Sequence, residues 1–169
     1  MMRYIQITGR SFSGKSYTET KVRESIFESD PERQIQVHDN IVFLGTGYRG
    51  KRRFGLGEIT TQKTMAKTIL LGLATKYPDH VVFYSYTRTI LDDRLFRNHE
   101  TIVFVNTASR EHYAKHGNKL PLDEQMAIQD KRIAKYRDRL KPRCTEYIEW
   151  PPEMSVEEKV AQVRYYMGL

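Results

Sequence analysis

Cysteine is almost absent: Cys144 is the only one in 169 residues. No disulfide can form within the chain, which excludes a disulfide-stapled scaffold and suits a reducing, cytoplasmic compartment. Apolar runs are short, and none approaches the ~18 residues of a membrane-spanning helix, so no membrane partner is expected. The amino-terminal residues read as a strand and not as a signal peptide. Internal repeats and low-complexity tracts are missing as well. Acidic residues are in deficit, 21 Asp and Glu against 28 Lys and Arg, for a net charge of +7. That balance favours polyanionic partners, nucleic acid among them. What remains is 39% hydrophobic and 29% charged, enough for a single domain, residues 1–169, around a proper core.

One stretch organises the rest. Gly9-Arg10-Ser11-Phe12-Ser13-Gly14-Lys15-Ser16 fits G-x-x-x-x-G-K-[ST], the phosphate-binding P-loop. Tyr4, Ile5 and Ile7 before it suit a buried strand. Residues 17–29 after it read as a helix, with Tyr17, Val22, Ile26 and Phe27 as its apolar face. Two glycines let the loop wrap closely. Its N–H groups and the helix N-terminus then converge on one point and favour an anion there. Lys15 is expected to reach the β- and γ-phosphates of ATP, and Ser16 to bind Mg²⁺. Residues 9–17, Tyr17 included, form the expected nucleotide site.

Residues 34–37 alternate polar and apolar and read as a second strand. In a parallel α/β sheet, ligands gather beyond the carboxyl ends of the strands. Asp39, just after that strand, is then placed to face the P-loop as a general base. The alternative is an Asx turn, since Asp39-Asn40 is good turn material. The apolar run 41–44 follows closely. Residues 45–57 hold five glycines and four cations. This segment is expected to hold acceptor phosphates, with Tyr48 or Phe54 stacking on a base, or else to be a solvated hairpin.

Residues 60–77 read as a core helix capped by Thr60 or Thr61, with Met65, Ala66, Ile69, Leu70 and Leu73 inward. Residues 81–84 form a strand buried on both faces. P-loop enzymes often end such a strand with an acid that holds the Mg²⁺ shell. Here Ser85-Tyr86-Thr87-Arg88 follows, with no carboxylate. Asp92 and Asp93 either substitute or cap a short helix at 91–96. Residues 101–105 form another buried strand. A basic lid at 107–121, with Gly117 as hinge, is expected to close on a triphosphate. Arg110 and Lys115 are its candidate transition-state cations. The same segment also reads as an ordinary surface helix. His112 and His116 share a helical face, but no set of zinc ligands forms around them. Residues 123–140 make a long helix, and the basic segment 131–143, with 49–53, is the candidate DNA contact. Cations there also suit the helix dipole. Residues 147–150 form a last strand, and Ser155 with Glu158 forms a capping box opening the final helix.

Alternating strands and helices give an α/β class with a mainly parallel sheet. With the P-loop at the first strand-to-helix turn, the fold is a P-loop NTPase three-layer sandwich. On that motif and layout the chain resembles small P-loop kinases of the nucleoside and nucleotide monophosphate kinase group, bacteriophage members in particular. The resemblance implies an ATP- and Mg²⁺-dependent phosphotransferase with a nucleotide or nucleoside acceptor. It also allows a DNA-acting kinase, at a 5′-hydroxyl or a hydroxymethylated pyrimidine, or a regulatory protein that binds nucleotide without transferring phosphate. By position, Asp39 matches the proton-accepting acid of such kinases, and Arg88 the arginine of their Asp-Arg-Tyr or Glu-Arg-Ser type motifs, whose acidic partner is missing here.

Overall fold

The computed structural model describes the chain apart from residues 29, 31, 46, 50, 51, 55 and 61, and apart from the side chains of 47–49, 52–54, 57 and 58. The base-stacking expectation for Tyr48 and Phe54, the basic segment 49–53 and the Thr61 cap lie outside the described residues.

The elements are β1 (Arg3–Thr8), α1 (Lys15–Glu24), β2 (Ile35–His38), β3 (Ile41–Leu44), β4 (Gly47–Arg49), β5 (Arg52–Phe54), α2 (Leu56–Ile59), α3 (Lys63–Lys76), β6 (Val81–Ser85), α4 (Asp93–Asn98), β7 (Glu100–Asn106), α5 (Arg110–His116), α6 (Leu122–Arg139), β8 (Glu146–Trp150) and α7 (Val156–Met167). Six strands form one sheet in the order β2-β3-β6-β1-β7-β8. β3, β6, β1, β7 and β8 run parallel, and only the edge strand β2 is antiparallel. β4 and β5 pair separately as a small hairpin.

Side chains alternate across each strand, so each parallel strand buries residues on both faces. Ile5, Ile7, Phe43, Phe83, Ile102 and Phe104 face α1 and α7, meeting Val22, Val163 and Met167. Tyr4, Val42, Val82 and Tyr84 face α3 and meet Ala66, Leu70 and Leu73. Further along that face, Val103 and Val105 pack on Tyr136 and Leu140 at the end of α6. The result is the expected three-layer α/β sandwich.

The sheet's direction corrects one expectation. His38 pairs with Ile41 across the two residues Asp39-Asn40. A two-residue connection can only make an antiparallel hairpin. Since β3 is parallel to β6, the end of β2 lies at the amino end of the parallel strands, where the Asn40 carbonyl accepts from the Val81 N–H at 2.8 Å. The P-loop sits at the other end, after β1. At ~3.3 Å per residue, the intervening strand separates the two by roughly 15 Å. Asp39 takes a left-handed φ of 51°, and its side chain, 85% exposed, lies 3.5 Å from His38. It is a turn residue and not a base beside the P-loop. Asp39→Asn is expected to leave any phosphotransfer rate within about twofold, read from initial rates, since surface changes of this kind perturb little.

Helix boundaries also shift. α1 ends at Glu24 and not near residue 29, because the Arg23 carbonyl accepts from both the Ile26 and Phe27 N–H groups and turns the chain. α3 begins at Lys63, after the Thr60 hydroxyl accepts from the Gln62 N–H at 3.1 Å. Asp92 caps α4, accepting from the Arg94 N–H, and Lys67 and Arg94 flank its carboxylate. The capping box of Ser155 and Glu158 opens α7 as expected.

Candidate nucleotide site

The loop between β1 and α1 takes the backbone that its glycines permit. Gly9 has φ 152° and Gly14 φ 88°, both in regions that L side chains rarely adopt. A Cβ on Gly9 would stand 2.5 Å from the Asn106 carbonyl and 2.9 Å from Ser13 Oγ. Phe12, without glycine's freedom, is nevertheless left-handed at φ 69°. A non-glycine residue there needs external support. The Ser13 N–H closes a turn on the Arg10 carbonyl at 3.1 Å, Asn106 Nδ2 donates to the Ser13 carbonyl at 2.6 Å, and His112 Nε2 lies 2.9 Å from the Phe12 carbonyl.

Support extends outward from there. Lys159 Nζ, on α7, donates to Asn106 Oδ1 at 2.8 Å and lies over the Trp150 ring. Burial pushes its ammonium below the ordinary lysine range. Arg10 is buried and stacks on Tyr113 of α5 at 5.0 Å, with one terminal nitrogen unpartnered. Behind the loop, Thr8 Oγ1 and Gln6 Nε2 both donate to the Tyr86 carbonyl, and the Tyr136 hydroxyl donates to the Thr87 carbonyl.

The shape suits a polyphosphate. α1 has no side-chain cap, so the N–H groups of its first turn have no intrahelical acceptor and point to the loop's concavity. Lys15 and Ser16 occupy that first turn. Ser13 Oγ is buried there without a partner. An anion with several oxygens fits this arrangement of donors; a neutral or apolar group does not.

Beside the loop, a cleft of about 470 Å³ opens toward α7. Phe12, Tyr17, Pro152, Met154 and Val156 give it apolar walls, and Lys159 with Asn106 forms its polar floor. Such a mix accepts a planar base plus a sugar. His112 and His116 line the same cleft with ring centroids 4.9 Å apart. Among the described residues no group of His, Cys, Asp or Glu is arranged to hold a metal ion.

The other expected residues are distributed unevenly. Arg88 is exposed beyond the carboxyl end of β6, at the same edge of the sheet as the P-loop. Arg110 is engaged by Asp123 of α6 at 2.5 Å, and it is His112 of the same helix that reaches the P-loop. Segment 107–121 is fastened at two points. Gln129 accepts from the Ala108 N–H and donates to its carbonyl, both at 2.9 Å, and also accepts from the Tyr113 hydroxyl. Gln125 does the same for Asn118 and Leu120. A Cβ on Gly117 would meet Gln125 Oε1 at 2.1 Å, so this glycine allows the close approach of α6 to the segment. Gln129→Ala would leave three buried polar groups unpaired. At ~1–3 kcal/mol for each such group, less what water recovers, about 2–4 kcal/mol of stability is expected to go. Denaturant unfolding checks this.

On the opposite side of the P-loop, cations gather. Arg139 first, then burial, Lys63 and Arg132 hold the Lys135 ammonium below its ordinary range. Lys63 opens α3, whose amino end lies at the P-loop edge of the sheet because α3 leads back into the start of β6.

Glu19, Gln125 and Gln129 are among the residues that escaped the sequence reading. Glu19, on α1, is fully buried and hydrogen-bonded to Ser85 and Arg23. Gln129 lies on the buried stripe of α6. The signal available for each was its spacing: Lys15, Glu19 and Arg23 recur every four residues, as do Gln125, Gln129 and Ile133.

No family model matches the chain, and no curated protein does. Among solved structures, the crystal structure of shikimate kinase from Aquifex aeolicus is similar over 98% of this chain and 96% of that one, with TM-score 0.50 and 15% identity. The likeness is one of fold: a three-layer α/β sandwich around a mainly parallel sheet. Among the described residues, no helix is long and apolar enough to cross a membrane.

Proposed function

We propose that the protein is a phosphotransferase of the nucleoside and nucleotide kinase group, taking its phosphoryl group from ATP. The observation that carries this reading is the uncapped start of α1 behind a loop whose Gly9 and Gly14 hold left-handed or extended positive-φ backbone. In phosphoryl transfer the protein supplies positioning and charge neutralisation more than covalent chemistry. Lys15 and the loop amides would hold the donor phosphates, with Ser16 toward Mg²⁺. Bound Mg²⁺ supplies neutralisation of charge on the donor's terminal phosphates. The cleft lined by Tyr17, Pro152 and Met154 takes the base. His112, resting on the Phe12 carbonyl, steadies the loop and helps cover it.

The acceptor would enter from the side of Lys63, Arg132, Lys135 and Arg139. Three cations crowding the Lys135 ammonium suit an acceptor that carries phosphates. We therefore read it as a nucleotide or a nucleic-acid end or base, with Arg88 at the junction of the two sites. DNA is favoured over a free nucleoside by this patch and by the +7 charge.

Transfer of labelled γ-phosphate tests this across nucleosides, nucleotides, plain DNA and hydroxymethylated DNA, with shikimate included because of the structural neighbour. Labelled nucleotide or DNA, falling as salt rises, is the expected outcome. Label on shikimate alone would contradict the acceptor. ATP binding with no product anywhere would reduce the protein to a nucleotide-binding regulator.

A further inference from the structure

β6 ends in Ser85 and offers no acid at its tip. Yet a carboxylate is there. Glu19 extends from α1, its side chain wholly buried, and Ser85 Oγ donates to Glu19 Oε2. Ser85 is paired in register with Ile7 of β1, one residue before Thr8 and the P-loop. The carboxylate of Glu19 therefore occupies the tip of the strand beside β1, reached from the P-loop helix instead of from the strand. Glu19 also falls on the helical face of Lys15 and Ser16.

The group is held from behind. Arg23 Nη2 donates to Glu19 Oε1 at 2.9 Å and to the Leu44 carbonyl, at the end of β3, at 2.5 Å. The guanidinium lies over the Phe43 ring, and its Nε and Nη1 are buried without partners. Lys15 acts electrostatically on the same carboxylate. A brace that served only packing would be replaced by apolar groups at little loss. A charged pair placed under the phosphate loop, aligned with Ser16, has a further use.

Resting on the kinase reading above, we infer that Glu19 is the carboxylate that orients the hydration shell of the nucleotide-bound metal, with Ser85 and Arg23 as the residues that position it. It takes the place of the acid that the strand lacks. Acting through water, it fixes the ion against the Ser16 hydroxyl; its two partners hold it in place.

The probe is Mn²⁺, titrated by electron paramagnetic resonance into the protein saturated with a non-hydrolysable ATP analogue. Two variants are compared with the wild type. Glu19→Gln combined with Arg23→Met removes both charges and keeps the volume. Ser85→Ala leaves the ion pair and removes the positioning hydrogen bond. Mn²⁺ affinity is expected to fall roughly 10–100-fold in the double variant and severalfold in Ser85→Ala, the range typical of outer-shell partners. Metal-free nucleotide affinity should stay within about threefold in both, unlike a general weakening by structural damage. Wild-type Mn²⁺ affinity in the folded double variant, or in Ser85→Ala where the double variant does not fold, would overturn the assignment to Glu19 alone. A wild-type protein that binds no nucleotide would overturn the kinase reading with it.

Discussion

Lys15→Ala is expected to lower kcat/KM for phosphotransfer by roughly 10²–10³-fold, the loss that follows removal of one transition-state hydrogen-bond donor. Lys15 is the first residue of α1 and only half-buried, so truncating it should leave the fold intact. A melting temperature within a few degrees of wild type, alongside lost transfer and weakened ATP binding, is the expected pair of observations. The separation matters because the P-loop is tied to the rest of the molecule. Asn106, His112 and Arg10 all join it to other elements. A variant at any of these would mix folding with chemistry, so the melting temperature is read beside the transfer rate.

Glu19→Gln alone is expected to be strongly destabilising. Arg23 is 1% exposed and Glu19 fully buried. Burial pushes the Glu19 carboxyl up from its ordinary range, against the pull of Arg23, Ser85 and Lys15. Removing its charge leaves the guanidinium buried with only carbonyl acceptors, and two of its nitrogens are already unpartnered. Breaking such a pair from one side costs about 3–5 kcal/mol, while neutralising both sides is often nearly neutral. Urea unfolding should therefore show a large loss in Glu19→Gln and recovery when Arg23→Met is added. If the single change costs under about 1 kcal/mol, the pair is not the buried bond described here, since that is what an exposed pair is worth.

Contiguity decided what could be read from the chain alone. The P-loop is one unbroken stretch whose function resides in its backbone, so eight letters specify both its shape and its task. The strands β6 and β7 were legible because burial on both faces leaves near-continuous apolar runs, and β1 because Tyr4, Ile5 and Ile7 lead directly into the P-loop. Strand direction was not, since alternation in residues 34–37 is the same for either sense. The two-residue gap at Asp39-Asn40 was the decisive clue, because no parallel crossover is that short. Glu19 sits in Thr18-Glu19-Thr20, which looks like a solvent-facing turn of helix; only the tertiary approach of Ser85 and Leu44 makes it interior. Gln125 and Gln129 were hidden for the same reason. Glutamine scores as polar, but here each amide satisfies backbone groups of a neighbouring loop that would otherwise be buried unpaired. The pairing of Arg110 with Asp123, between two exposed side chains, was likewise set by tertiary approach and not by spacing along the chain.

The central claim is that the backbone amides between β1 and α1 form a polyphosphate cradle. Amide ¹⁵N–¹H spectra recorded while ATP is titrated into the wild-type protein test it most directly. The account predicts that the resonances of Gly14, Lys15 and Ser16 move furthest, with Asn106 and His112 following, and that inorganic triphosphate reproduces the first group. Resonances of residues 9–16 that stay fixed at saturating ATP, while others shift, would contradict it.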